Sequence, residues 1–218
     1  MTSRTSFLDR RRRIFAAAVA LRLLSVTACT GGGTTPGATA APESSSPAAS
    51  PTPTATPAPA ASYKPADASG KAQNVPVPVL PEAAKAETKE GLEAFARYWY
   101  ALLNYAYETG DLAPVEAVSS QTCALCGEVF PGIERWNTDG RWIVGATITV
   151  HAVQSTFVRT ETGDFQIAIQ SQQASGSLKN PDGTEAQTVT ESGMLGDILV
   201  ARHEKGSWTV KNVDRLGG

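Results

Sequence analysis

Cys123 and Cys126 stand in the stretch Cys123-Ala124-Leu125-Cys126. This C-x-x-C spacing could support three kinds of chemistry. As a disulfide it would pin the start of a helix, and so short a loop gains only about 2 kcal/mol in the chain-entropy model. As a redox-active dithiol it would place a thiol of lowered pKa at a helix N-terminus. That use calls for a strand just before the motif within a βαβ surround, whereas helical sequence precedes it here. As half of a zinc site it would need two further Cys or His ligands. The only histidines on offer are His151 and His203.

Neither histidine has a second titratable group held near it by local spacing. Strand alternation puts His151 on the side of Thr147 and Thr149, facing solvent. His203 adjoins Glu204-Lys205-Gly206, a turn, and so falls at a sheet rim. The aromatic cluster Tyr98, Trp99, Tyr100, Tyr105 and Tyr107 is more suggestive. Trp99 fits a buried stripe, while the four tyrosines spread around a helix. Some of their hydroxyls must line an interior surface and find partners there. The cluster reads either as core packed on a sheet or as the wall of a small-molecule or peptide pocket. Trp136 and Trp142 flank the passage from helix to strand and read as core.

The elements that must position these residues divide into two halves. Leu92, Phe95, Ala96, Trp99, Leu102, Leu103 and Ala106 recur at three- and four-residue spacing, which predicts one long amphipathic helix. Gly110 sits where a left-handed residue would stop it. Asp111 can cap a short helix over about 112–118. A third helical piece spans about 123–137, where Pro131-Gly132 should kink or divide it. Strands follow: Arg141–Val158, rich in Val, Ile and Thr, then Phe165–Gln170 with period two. Asn180-Pro181-Asp182-Gly183 is a turn. Leu195–His203 and Ser207–Val213 flank a tight hairpin connection. Helices first and antiparallel strands second predict an α+β domain over 81–218, with N-terminal helices packed on a curved antiparallel sheet of about four strands.

Residues before 81 have another character. Arg4 and Arg10 through Arg13 form a basic region, and an apolar run from Ile14 follows. The run is shorter than the ~20 residues a transmembrane helix needs and fits a signal h-region. Arg12-Arg13-Ile14-Phe15 leaves the twin-arginine route open beside general secretion. Between Thr30 and residue 80 the chain is low in complexity and holds ten of its 14 prolines. Little there can offset the entropy of ordering, so the segment is expected to be a disordered tether. Fully extended, it could reach on the order of 150 Å.

Leu24-Ser25-Val26-Thr27-Ala28-Cys29 resembles the lipobox of bacterial lipoproteins, with Val26, Thr27, Ala28 and Cys29 matching position by position. The resemblance implies that 1–28 is a signal peptide and that Cys29 is cleaved free and diacylated on sulfur. The membrane is then a partner through that lipid, and the rest of the chain is extracytoplasmic. Two acyl chains, at ~0.8 kcal/mol per buried methylene, hold far better than one. In such an oxidising compartment the two remaining cysteines, Cys123 and Cys126, are expected to pair as a structural disulfide. Six Arg and Asp9 precede Cys29, leaving 13 basic against 20 acidic side chains, a formal −7. An acidic domain speaks against nucleic acid, which rewards clustered Lys and Arg. It also speaks against clamping onto anionic lipid.

The order of helices and strands, ending in Ile198-Leu199-Val200-Ala201-Arg202 and Gly206-Ser207-Trp208-Thr209-Val210, resembles the nuclear-transport-factor-2-like fold, a cone of helices over a bent sheet. In enzymes of that fold an Asp/His or Tyr/Asp set lines the cone. The resemblance makes Tyr98, Tyr105 and Asp197 the candidate pocket residues, and implies that two copies could pair through their open sheets as a homodimer. The lipobox, the Pro/Thr tether, Gly91–Trp99, Leu103–Asp111 and the C-x-x-C motif together resemble a family of actinobacterial lipoproteins of unknown function. The expected function is a lipid-anchored, non-catalytic binding or interaction domain for an envelope partner or small ligand, with no cofactor and no metal. Two alternatives stand beside it: a small-molecule-binding or enzymatic cone pocket, and a thiol-disulfide oxidoreductase using Cys123 and Cys126.

Overall fold

A computed structural model describes residues 61–216, which fall within one unit, Thr56–Gly218. The expected signal peptide, the lipidation site Cys29 and the first part of the tether lie outside the described residues. The stretch from 61 to 80, expected to belong to the tether, makes contacts with the domain beyond 81. Backbone bridges join Lys64 to Gln73 and Asp67 to Gly70. Trp142 Nε1 donates to Asp67 O at 2.9 Å, and Lys71 Nζ donates to Asn137 O at 3.0 Å. Such anchors reach across the chain to residues some 70 positions away, so local composition carried no trace of them.

Helix α1 spans Lys89–Thr109. Thr88 caps it, its Oγ1 accepting from Gly91 N at 3.0 Å. Every residue of the apolar stripe from Leu92 to Ala106 is buried, and Tyr100 joins it. A Cβ at Gly91 would collide with Ala86 O, where a 3-10 turn at Glu82–Lys85 packs on the helix. Gly110, at φ 79°, ends α1 as its spacing required. Helix α2 is only Ala113–Glu116, with Asp111 Oδ1 accepting from Ala113 N. Helix α3 runs Ala124–Asn137 straight through Pro131. Pro131 lacks an N–H, so one intrahelical bond is missing, yet the helix is not divided there.

Seven strands follow: β1 Trp142–Gly145, β2 Ile148–Gln154, β3 Phe165–Gln173, β4 Gly176–Lys179, β5 Glu185–Val189, β6 Leu195–Glu204 and β7 Ser207–Leu216. They make two antiparallel sheets, one of four strands ordered β2-β3-β6-β7 and one of three ordered β1-β4-β5. The α+β class and the four-stranded sheet agree with expectation; the second sheet was not expected. Its origin is a bend within the region read as one strand. Gly145 and Ala146 both take positive φ, 72° and 57°. Across from them a Cβ on Gly176 would sit 2.5 Å from Ala146 N. Ala146 N bonds Ser175 O, and Ala174 N bonds Thr147 O. One long hairpin therefore bends sharply: β2 pairs with β3 below the bend, β1 with β4 above it.

The inner face of the larger sheet alternates strictly along β3, with Phe165, Ile167, Ile169 and Ser171 buried. Asp197, Leu199 and Ala201 of β6 lie opposite Ile169, Ile167 and Phe165. Trp208, Val210 and Val213 of β7 complete the face, which packs on α1 in one apolar cluster. The ladder between β2 and β3 slips at His151, leaving a bulge. The tight turn between β6 and β7 is Lys205-Gly206, both at positive φ, as a two-residue hairpin favours.

Both edges of the larger sheet are covered in part. Along β2, Asn104 Nδ2 donates to Ile148 O, Asn104 Oδ1 accepts from Ile148 N, and Arg97 Nη1 donates to Val150 O. Just past β2, Ser155 N donates to Glu93 Oε1. Along β7, Ser120 N donates to Val210 O and Val210 N to Val118 O.

Candidate functional site

Asp197 is fully buried at the inner end of β6. A bare carboxylate there would be costly, so its partners define the site. Arg215 is its direct neighbour across the β6–β7 ladder. Arg215 Nε donates to Oδ1 at 2.8 Å and Nη2 to Oδ2 at 3.3 Å. Tyr100 of α1 donates its hydroxyl proton to Oδ2 at 2.7 Å, and Ser171 of β3 adds a long bond of 3.4 Å. Burial pushes the Tyr100 hydroxyl far up, and the bond it donates to Asp197 raises it further. The bond to Asp197 likewise raises Arg215. Tyr100 therefore stays a neutral donor, and the Arg–Asp pair is electrically closed.

Tyr100, Ser171 and Arg215 of this network wall a small chamber of about 60 Å³ that Tyr107 and Gln173 also line. Next to it lies a wider recess of about 260 Å³ between α3 and the smaller sheet. Tyr107, Val129 and Gln173 are walls of both. Apolar side chains such as Ile133, Trp136, Ile143 and Leu178 dominate the outer recess, with Glu128 and Arg135 at its lip. Burial raises the Tyr107 hydroxyl, while Gln173 and Arg215 partly offset the rise.

None of the three candidate pocket residues lines either cavity; Asp197 lies buried behind the chamber wall. Tyr98 is half-buried and packs beside Phe95, with ring centroids 6.5 Å apart. Tyr105 donates to Asp111 Oδ2 at 3.2 Å near the helix end. The residues that meet Asp197 and its chamber are Tyr100 and Tyr107. At 3.6 residues per turn, position 98 lies across the helix from 100, whereas 107 returns to its face. The spacing Tyr100, Leu103, Tyr107 was thus the available signal. Arg215 carried no local signal, since only the register of the last hairpin sets it opposite Asp197.

The histidines do not join the site. His151 is exposed at the bulge in β2. His203 lies at the rim, its Nε2 3.1 Å from Lys85 O and its ring 4.7 Å from that of Trp208. Cys123 and Cys126 are bonded to each other and buried. Cys123 is the N-cap of α3, its Sγ accepting from Cys126 N at 3.3 Å. Among the described residues no group of three His, Cys, Asp or Glu could hold a metal ion.

No curated protein matches the chain. Among solved structures, the intermembrane space region of the chloroplast protein ARC6 is similar at 10% identity, over 60% of this chain and 98% of that one, with a TM-score of 0.43. Aln2 from a Streptomyces species is similar at 9% identity, over 57% of this chain and 89% of that one, with a TM-score of 0.38. The comparison that covers most of the chain is with a protein family: over residues 61–214 the chain matches, and belongs to, DUF6318, a family of unknown function.

Proposed function

We propose that this protein is a lipoprotein, held to the cell envelope by acyl chains on Cys29, whose nuclear-transport-factor-2-like cone acts by binding rather than catalysis. The observation that carries the binding reading is the complete burial of Asp197 behind its partners. Both of its oxygens are engaged by Arg215, Tyr100 and Ser171. A general base needs a lone pair within reach of the proton it takes, and this carboxylate is fully buried and lines neither cavity. What remains is a recess with apolar walls and few polar groups, the ordinary make-up of a binding site. The disulfide reads as structural because it caps α3 with both sulfurs buried.

Attachment and binding are tested separately. Labelled palmitate should enter the wild-type protein and not Cys29→Ser, which should accumulate unprocessed; full labelling of the Ser variant overturns the anchor. Native mass spectrometry of the protein isolated gently from envelopes should reveal a bound mass or a co-purified protein. A bare chain in that experiment overturns the binding reading.

A further inference from the structure

A third hollow, of about 470 Å³, is walled by the segment around Pro65, by the end of α1 around Glu108, and by Ile143, Val144 and Gly145 of β1. Side chains of a strand alternate between its two faces. A hollow lined by three consecutive residues of β1, and by none of β4 or β5, therefore runs along the strand's edge. That edge is open. β1 ends the order β1-β4-β5, so it is bonded to β4 on one side and to no strand on the other. Alternate residues of such a strand turn their N–H and C=O outward, unpaired. Among the described residues no bond from the segment around Pro65 reaches the main chain of Ile143–Gly145. Pro65 itself has no N–H to give.

The slot therefore asks for main-chain donors and acceptors at the spacing of a strand, which an extended peptide supplies. β1 has four residues, so it can pair with about as many, at ~3.3 Å each. Charge narrows the choice. Glu108 is the one charged residue in the lining, and it is half-buried. Its Oε1 accepts from Tyr63 Oη at 2.5 Å, while Oε2 accepts from no group among the described residues. Nor does Glu108 join any of their ion pairs. A Lys or Arg on the incoming strand would give that carboxylate its cation. The chain's own residues 30–60 do not fit, since they hold no Lys or Arg and are rich in Pro, which cannot donate to a ladder. We propose that this slot docks an extended basic segment of a partner protein, which adds a short strand to β1 and sets a Lys or Arg against Glu108. The inference rests on the binding reading above and names the chemistry of the partner.

Four capped peptides test the slot: Thr-Val-Lys-Val-Thr, its counterparts with Gln or Glu in place of Lys, and the Lys peptide N-methylated at every residue. Each is titrated into the isotope-labelled full chain and followed by NMR. The Lys peptide should shift the amides of Ile143–Gly145 and bind about threefold more tightly than the Gln peptide, the scale of one partly exposed ion pair. The Glu peptide should bind more weakly still, and the N-methylated one, which has no donors for a ladder, should not bind. Glu108→Gln keeps an acceptor for Tyr63, and in it the Lys and Gln peptides should bind equally. Equal affinities of the Lys and Glu peptides for the wild type overturn the basic partner, as does an undiminished Lys preference in Glu108→Gln. Binding of the N-methylated peptide as tight as that of its parent overturns strand addition. Concentration-dependent shifts at Ile143–Gly145 in the chain alone would give the slot to a second copy and overturn the proposal. Absence of shifts there with every peptide overturns the slot as a docking site, whereas the broader binding reading fails only if the isolated protein is bare.

Discussion

The larger sheet and the smaller sheet are joined by one bent hairpin, yet they are held by different means. The larger one presses a strictly alternating face onto α1, with Leu92, Phe95, Trp99, Ile167, Leu199 and Val213 almost wholly out of water. The smaller one has a core of only Ile143, Ala146 and Leu178, helped by Tyr107, Trp136 and Val189. Its edge strand β5 is exposed along most of its length. At about 25 cal/mol per Å² of apolar surface buried, stability must concentrate in the first region. The second is free to be the softer wall of the recess.

That contrast can be broken by truncating one side chain in each region. Phe95→Ala should cost about 3–5 kcal/mol and destabilise the whole domain. Leu178→Ala should cost about 2 kcal/mol, near the low end of such losses, because its neighbours border a cavity and can relax. Hydrogen exchange sharpens the test. Amides of β3 and β6 should exchange only by global unfolding, and those of β4 and β5 by local opening. Leu178→Ala should speed exchange in β4 and β5 alone; equal acceleration in β6 would mean that the two sheets unfold as one.

The disulfide belongs to the stable region, since Cys123 and Cys126 pack in the larger core. Replacing both by Ala should cost about 2 kcal/mol, read as a lowered chemical-denaturation midpoint with m unchanged. A loss near zero would show that burial of α3 alone sets its position.

The smallest effect is one of pH. On the larger sheet, Asp164 is held below the usual carboxylate range, chiefly by the hydrogen bond from Arg202 and also by that from Thr162. Its folded pKa is depressed, so its contribution is present above the unfolded value of about 3.9 and is lost as pH falls through the lower folded value. On the smaller sheet, Glu185 is lowered chiefly by the hydrogen bond from Thr188, but it is exposed, so water screens most of its contribution. Between pH 6 and pH 2.5 the melting temperature of Asp164→Asn should therefore fall less than that of the wild type, whereas Glu185→Gln should track the wild type. Equal slopes for all three proteins would remove this difference between the sheets.

The legible parts of this fold were those written in periodic apolar residues. The stripe on α1, its stop at Gly110 and the alternation along β3 follow from spacing alone, and each occurs where that spacing predicts. The smaller sheet was not legible. Gly-Ser-Leu-Lys in β4 and Glu-Ala-Gln-Thr-Val in β5 have no apolar alternation, and only the Asn180–Gly183 turn between them carried a signal. At the site, Asp197 was visible as an odd charge in an apolar strand. Its partner Arg215 was not, because that pairing depends on the register of the last hairpin, and the bulge between Val200 and Ala201 shifts it by one residue. Tyr98 and Tyr105 differ from Tyr100 and Tyr107 in helix phase. Only Tyr100 and Tyr107 share the face of Leu103 that meets the chamber.

The side chains of Asn104 and Arg97 that meet β2 have a bearing on how copies of this chain meet one another. A sheet edge with unpaired amides is an open template onto which another chain can zip, the first step towards aggregation. Here α1 does the work of an absent strand on one edge, and the Val118–Ser120 segment closes the other. At Ile148, Val150 and Val210 a neighbour's strand could pair only by displacing bonds already made. The exposed strand β5 of the smaller sheet has no such cover, so any strand-to-strand contact between copies would begin there rather than on the larger sheet.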